Sequence, residues 1–156
     1  MKVIFLDIDG VLNSWRYDQA RTAEQGNIDE TRLPLLYQIV SATGAQIVLT
    51  SSWRKHWERD FDKSDAIGQA LDQLFRAHGL AIYDKTIVLD SNNRTEEVRD
   101  WLDRHEVEAF VIIDDISFGW EELQPHLVKT NHRIGRGLNQ THVAQAIAGL
   151  GGESEE

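Results

Sequence analysis

The chain has 156 residues, the length of one domain, with 41% hydrophobic residues, 27% charged residues and a formal net charge of −10. It has no cysteine, which excludes disulfides, thiolate metal sites and cysteine nucleophiles, and its acidic balance argues against strong nonspecific nucleic-acid binding. The apolar run near the start, residues 3–6, is too short for a signal peptide or a membrane span, so we expect a cytoplasmic protein without a membrane partner.

Short apolar runs and helical spacing alternate along the chain. The runs that predict buried strands are VIFL at 3–6, AQIVL at 45–49, TIVL at 86–89, AFVII at 109–113 and, more weakly, HLVKT at 126–130. Apolar residues at helical spacing lie between several of these runs, and a last helix is predicted at about 140–149. This alternation predicts an α/β fold over residues 1–150, with a single doubly wound, Rossmann-like parallel sheet of about five strands flanked by helices. Residues 151–156 are predicted to form a disordered acidic tail.

Polar clusters follow the predicted strands at the edge of the sheet where parallel sheets bind ligands. The clusters are Asp7 with Asp9, Thr50 with Ser51, Asp114 with Asp115, and Arg94 at the start of a predicted helix. Carboxylates this close together repel one another unless a cation lies among them, and oxygen ligands suit Mg²⁺. A hydroxyl and a guanidinium beside that cation can bind a phosphate. One carboxylate of the first cluster could then attack phosphorus while its neighbour handles the proton on the leaving oxygen.

Four segments in order resemble the motifs of the haloacid dehalogenase (HAD) superfamily. They are FLDIDGVLN at 5–13, ATGAQIVLTSSWR at 42–54, the helix opened by Arg94, and VIIDD at 111–115. The closest resemblance is to the capless HAD domain of Swiss Army Knife RNA repair proteins, and the short spacers leave no room for a cap domain. The resemblance implies a Mg²⁺-dependent phosphatase that forms an aspartyl phosphate.

The resemblance also implies a role for each motif residue. These roles are Asp7 as nucleophile, Asp9 as general acid and base, Thr50, Ser51 and Arg94 as phosphate ligands, and Asp7, the Asp9 carbonyl, Asp114 and Asp115 as Mg²⁺ ligands. Many relatives have a lysine in the third motif, so Lys85 is a rival to Arg94.

Several interpretations stay open at this point. The substrate could be a nucleic-acid or nucleotide phosphate end or a small metabolite, and a non-catalytic scaffold that binds a phosphorylated partner is a further alternative. Thr50 and Ser51 are also compatible with a simple N-cap for a helix that begins near Trp53. The segment 14–27, which contains Trp15 and Arg16, suits contact with a phosphorylated end. The sequence does not predict the oligomeric state.

Overall fold

The structure is a computed structural model that describes residues 1–13, 28–117, 119–132 and 137–152. The strands in these ranges are β1 (Lys2–Leu6), β2 (Gln46–Leu49), β3 (Ile82–Lys85), β4 (Ala109–Asp114) and β5 (Leu127–Lys129). The α-helices are α1 (Leu33–Thr43), α2 (Ala66–Ala77), α3 (Arg94–Asp103) and α4 (Gln140–Gly149). Shorter 3₁₀ helices span Glu30–Arg32, Ser52–His56, Phe61–Lys63 and Glu121–His126.

The described strands form one parallel sheet in the order β3-β2-β1-β4-β5, and helices cover both of its faces. Side chains along β1 alternate between the two faces, as strand geometry requires. Ile4 and Leu6 belong to a core with α1, α2 and α4, whereas Val3 and Phe5 pack with α3 on the other face. The predicted doubly wound α/β fold is therefore confirmed.

The third strand was predicted wrongly. TIVL at 86–89 follows the strand, which instead occupies Ile82–Lys85 at the edge of the described sheet. Ile87 and Val88 are 43% and 64% exposed, so these apolar residues are not part of a buried strand. An edge strand needs few buried side chains, and β3 buries only Ile82 while Asp84 accepts a hydrogen bond from the Trp101 indole. Apolar content alone therefore pointed to the wrong segment.

The hydrogen-bond ladder of the sheet extends one residue beyond several strands. The backbone N–H of Asp7 donates to Ile113, that of Thr50 donates to Leu6, and that of Thr130 donates to Asp114, each at 3.0 Å. The residues that follow β1, β2 and β5 are therefore fixed to the sheet. This rigidity matters because these positions form the carboxyl edge, where the polar clusters lie.

The connections in the described chain carry no cap domain. Between β2 and β3 lie only α2 and two 3₁₀ helices, which pack on the same domain. At the other end, Gly151 and Gly152 donate backbone hydrogen bonds to the last turn of α4, and residues 153–156 of the predicted tail lie outside the described residues. No helix in the described ranges is long and apolar enough to cross a membrane.

Candidate active site

Three carboxylates meet at the ends of β1 and β4. Asp7, Asp114 and Asp115 each offer one oxygen, and these oxygens all lie within 4.8 Å of one another. Burial, followed by the charge of Asp114, raises the pKa of Asp7 well above its ordinary value. Burial likewise raises the pKa of Asp114 to about 6, although Arg94 opposes the shift. A hard divalent cation would relieve this repulsion, and the all-oxygen donor set fits Mg²⁺.

A tight turn after β1 packs directly against Asp115. Gly10 has a φ of 84°, and a Cβ at this position would overlap the Asp115 carboxylate. The Gly10 carbonyl accepts a hydrogen bond from the Thr130 hydroxyl at 2.7 Å, and its N–H donates to Asn13 Oδ1 at 2.9 Å. Only glycine combines this backbone conformation with so close an approach, so the turn fixes the position of Asp115.

The Asp9 carboxylate lies outside the three-carboxylate cluster. Its Oδ1 accepts hydrogen bonds from Asn13 Nδ2 at 3.0 Å and from the Trp53 indole N–H at 3.2 Å. The two acids of the first motif therefore have different environments, since Asp7 is buried among carboxylates and Asp9 is held by neutral donors. This difference allows them to have different chemical roles.

The two polar residues after β2 are used differently. Ser51 Oγ accepts the backbone N–H of Trp53 at 3.2 Å and is the N-cap of the Ser52–His56 helix. Thr50 is buried, and its hydroxyl has no hydrogen-bond partner among the described residues. An unsatisfied buried hydroxyl costs about 1–3 kcal/mol, so Thr50 Oγ1 is available to a ligand with acceptor oxygens.

Arg94 opens α3 and points its guanidinium at the acidic cluster. Its Nη1 lies 2.5 Å from Asp114 Oδ2 and 3.6 Å from Asp7 Oδ1. The ammonium of Lys85 instead donates to the carbonyls of Arg54 and Trp57 and to the Glu58 carboxylate, at 2.6–2.9 Å. Of the two candidates for the third motif, Arg94 is the one that lies beside Asp7.

A buried ion pair behind the site was not predicted. Arg54 Nη2 donates to both carboxylate oxygens of Glu97 at 3.0 and 3.1 Å, while Nη1 donates to the Thr50 carbonyl at 2.7 Å and the Thr86 hydroxyl at 2.9 Å. Glu97 also accepts the backbone N–H of Leu89 at 2.9 Å. The pair joins the end of β2 to the first turn of α3, which carries Arg94. In the sequence, WRKHW at 53–57 resembles a basic surface cluster, and nothing in it marks Arg54 as buried.

One further described residue borders the rim. His132 Nδ1 lies 3.4 Å from Asp115 Oδ2, so an imidazole faces the acidic cluster from the segment after β5. The segment 14–27, which was predicted to contact a phosphorylated end, lies outside the described residues. The described part of the rim therefore consists of the four strand-end and helix-start clusters together with Asn13, Trp53 and His132.

Comparison with known proteins identifies one matching family. A family model described as the HAD domain in Swiss Army Knife RNA repair proteins matches residues 3–143, which is almost the whole chain. The match includes every polar cluster of the rim. Comparisons with curated proteins and with solved structures find no match.

Proposed function

The chain belongs to the family of HAD domains in Swiss Army Knife RNA repair proteins, and from this membership and the rim geometry we propose that it is a Mg²⁺-dependent phosphomonoester hydrolase. The observation that carries the proposal is the separation of the two acids of the first motif. Asp7 lies among carboxylates beside Arg94, whereas Asp9 lies outside that cluster and is held by Asn13 and Trp53. A nucleophile and a proton donor need this kind of separation.

The first step is attack by an Asp7 carboxylate oxygen on the phosphorus of the substrate. A bond forms between this oxygen and phosphorus, and the bond from phosphorus to the leaving oxygen breaks. Asp9, protonated, gives its proton to the leaving oxygen, so that an alcohol departs and Asp7 carries the phosphoryl group.

The second step returns the enzyme to its starting state. Asp9, now a carboxylate, takes a proton from a water molecule that attacks phosphorus. The bond between phosphorus and Asp7 breaks, and inorganic phosphate is released. The same residue therefore acts as acid in the first step and as base in the second.

The chain supplies fixed partners for the oxygens of the transferring phosphoryl group. The Arg94 guanidinium offers charge-assisted hydrogen bonds, and the buried Thr50 hydroxyl offers a donor that has no other partner among the described residues. Asp7, Asp114 and Asp115, with the Asp9 carbonyl, would hold Mg²⁺, which when bound neutralises part of the phosphate charge.

We propose a nucleic-acid or nucleotide phosphate end as the substrate. The family description supports RNA repair, and the described connections carry no cap domain that would exclude a large substrate. The net charge of −10 favours instead a small phosphorylated metabolite, because an acidic protein repels a polyanion. If the substrate is a nucleic-acid strand, this repulsion limits binding to its terminal phosphate.

A purely phosphate-binding scaffold would not need the proton donor at Asp9. A cytoplasmic location remains our prediction and agrees with the absence of cysteine.

A phosphatase screen in Mg²⁺ tests the proposal. The panel contains 3′- and 5′-phosphorylated oligonucleotides, mononucleotides, sugar phosphates and phosphopeptides, and each substrate is also given to Asp7→Asn as the inactive control. We expect phosphate release by the wild type only, with the highest kcat/KM for a phosphorylated oligonucleotide end. A clear preference for sugar phosphates would replace end processing with metabolite hydrolysis, and equal turnover by Asp7→Asn would overturn the mechanism.

A further inference from the structure

An apolar groove lies beside the rim, between α2 and the 3₁₀ helix that follows β2. Its volume is about 340 Å³, and its lining consists of Ile28, Trp53, Ala66, Ile67, Ala70, Leu71 and Leu74. None of these residues is charged. Ile67 is 41% exposed, so the groove has an apolar side chain at its surface. An uncharged apolar groove is suited to a flat ring and not to a second phosphate.

The groove meets the site at Trp53, which lines the groove and lies on a segment that packs closely on α2. Gly68 of α2 faces the backbone of His56, and a Cβ at Gly68 would overlap the His56 carbonyl. This contact holds the Ser52–His56 helix against α2. As a result, the Trp53 ring forms one wall of the groove while its indole N–H reaches Asp9 Oδ1 at 3.2 Å.

The hydrogen bonds to Asp9 distinguish its two oxygens. Asn13 and Trp53 both donate to Oδ1. Oδ2 is therefore the oxygen that can carry the proton for the leaving group, because a hydroxyl would not accept so well from two donors. A leaving oxygen that accepts the proton of Asp9 lies on the part of the rim where Trp53 contacts Asp9, and the same tryptophan lines the groove.

We propose that this groove binds an aromatic ring of the leaving group, such as a nucleobase or an aryl group, and that Trp53 couples the groove to Asp9. The inference rests on the proposed function and narrows it to phosphomonoesters with a flat apolar ring near the ester. Trp53 has two roles. Its ring contacts the leaving group, and its N–H positions the acid that protonates that group.

A second cavity, beside Arg94, does not have this chemistry. It has a volume of about 350 Å³ and is lined by Ser91, Asn92, Asn93, Arg94, Ile116, Gly119 and Trp120. Its lining includes amide, hydroxyl and guanidinium groups, and none of its lining residues is among the described hydrogen-bond partners of Asp9. The groove beside Trp53, and not this second cavity, is therefore the one that we assign to the leaving group.

Binding of phosphonates tests the groove without turnover. Isothermal titration calorimetry in Mg²⁺ compares (2-naphthylmethyl)phosphonate with methylphosphonate, which has no ring. We expect the naphthyl compound to bind at least about tenfold more tightly, because burial of one face of the ring contributes that much. Ala70→Gln places a polar side chain in the groove and should remove most of this preference. Ala77→Gln, on the same helix but away from the groove, should retain it. Equal affinity of the two phosphonates for the wild type would overturn the proposal.

Kinetics of Trp53→Phe test the coupling to Asp9. Phenylalanine keeps a ring in the groove but has no N–H to donate. Benzyl phosphate has a poor leaving group that needs protonation, whereas 4-nitrophenyl phosphate has a good one. We expect kcat to fall about tenfold more for benzyl phosphate than for 4-nitrophenyl phosphate, with KM little affected. An equal fall for both substrates would overturn the positioning role. If the wild type hydrolyses neither substrate but still binds the naphthyl phosphonate more tightly, the proposed phosphatase function is overturned. The assignment of the groove as a ring-binding site would then still hold.

Discussion

Nη1 of Arg94 lies 2.5 Å from Oδ2 of Asp114, so the first turn of α3 is joined to the end of β4. A cation in the first turn of a helix opposes the helix dipole and is normally unfavourable. Here the carboxylates of Asp114 and Asp7 compensate for that cost. The arginine therefore lies where a bound anion would meet both a guanidinium and a helix N-terminus.

Arg94→Ala should weaken inhibition by orthovanadate. Charge-assisted hydrogen bonds are worth about 1.5–3 kcal/mol, so we expect the inhibition constant to rise roughly 10–100-fold. The measurement is vanadate inhibition of 4-nitrophenyl phosphate hydrolysis. Lys85→Ala is the matched control, because Lys85 donates to Arg54, Trp57 and Glu58 and not to the rim. A larger loss in Lys85→Ala would assign the third motif to Lys85.

The stability of the metal-free protein should fall as the pH rises through about 6. Burial raises the pKa of Asp114 from its ordinary 3.8 to about 6, so the fold favours the protonated carboxyl. The stabilising contribution of that proton is present below about pH 4 and is lost as the pH rises through about 6. Mg²⁺ should replace the proton. We therefore expect Mg²⁺ to raise Tm more at about pH 7.5 than at about pH 4.5.

Asp114→Asn serves as the control for this pH dependence. The amide keeps the shape of the side chain but cannot ionise, so both the pH dependence and the Mg²⁺ increment in Tm should shrink. Differential scanning fluorimetry at the two pH values measures both quantities. The same Mg²⁺ increment at both pH values would show that the acidic cluster is not where the metal acts.

Much of this architecture could be predicted because parallel topology determines it. Once β1 and β4 are recognised as buried strands, Asp7 and Asp114 must emerge at the same edge, and they do lie together. The Arg54–Glu97 pair could not be predicted, since charged residues at helix starts usually face solvent. The contact between Trp53 and Asp9 depends on how closely α2 packs at Gly68, which no local pattern encodes. The apolar run at 86–89, in which Ile87 and Val88 are exposed, misled the prediction for a related reason, because sequence does not reveal burial directly.

Asp7→Asn and Asp9→Asn should fail at different steps. Asp7→Asn lacks the attacking oxygen, so it should form no phosphoenzyme. Asp9→Asn keeps the nucleophile and should be phosphorylated slowly by 4-nitrophenyl phosphate, whose leaving group needs little protonation. It should then retain the phosphoryl group, because no base activates water. Intact-protein mass spectrometry detects the phosphoryl group, and its absence from Asp9→Asn would contradict this division of roles.

Gly10→Ala should reduce the affinity for Mg²⁺. The positive φ of 84° strains any residue with a Cβ, and the new methyl group would displace the Asp115 carboxylate. We expect the dissociation constant for Mg²⁺ to rise about tenfold or more. Isothermal titration calorimetry measures it. Gly44→Ala is the control, because Gly44 has a φ of 72° but a Cβ added there would meet no described atom within 4 Å. Similar losses in the two variants would indicate backbone strain alone.

Loss of the buried Arg54–Glu97 pair should lower both the free energy of unfolding and phosphate binding at the site, and two variants can separate these effects. Glu97→Gln leaves the Arg54 guanidinium buried without a counter-charge, and we expect about 3–5 kcal/mol less free energy of unfolding in urea. Glu96→Gln, an exposed neighbour in the same helical turn, should cost less than about 1 kcal/mol.

The double variant Arg54→Met with Glu97→Leu distinguishes stability from positioning. An apolar pair removes the uncompensated charge, so part of the lost unfolding free energy should return relative to Glu97→Gln. The bonds from Arg54 to the Thr50 carbonyl and from Glu97 to the Leu89 N–H would still be missing, so Thr50 and the start of α3 would lose their common support. We therefore expect vanadate to inhibit the folded double variant more weakly than it inhibits the wild type. Recovery of inhibition together with stability would limit the pair to a role in folding.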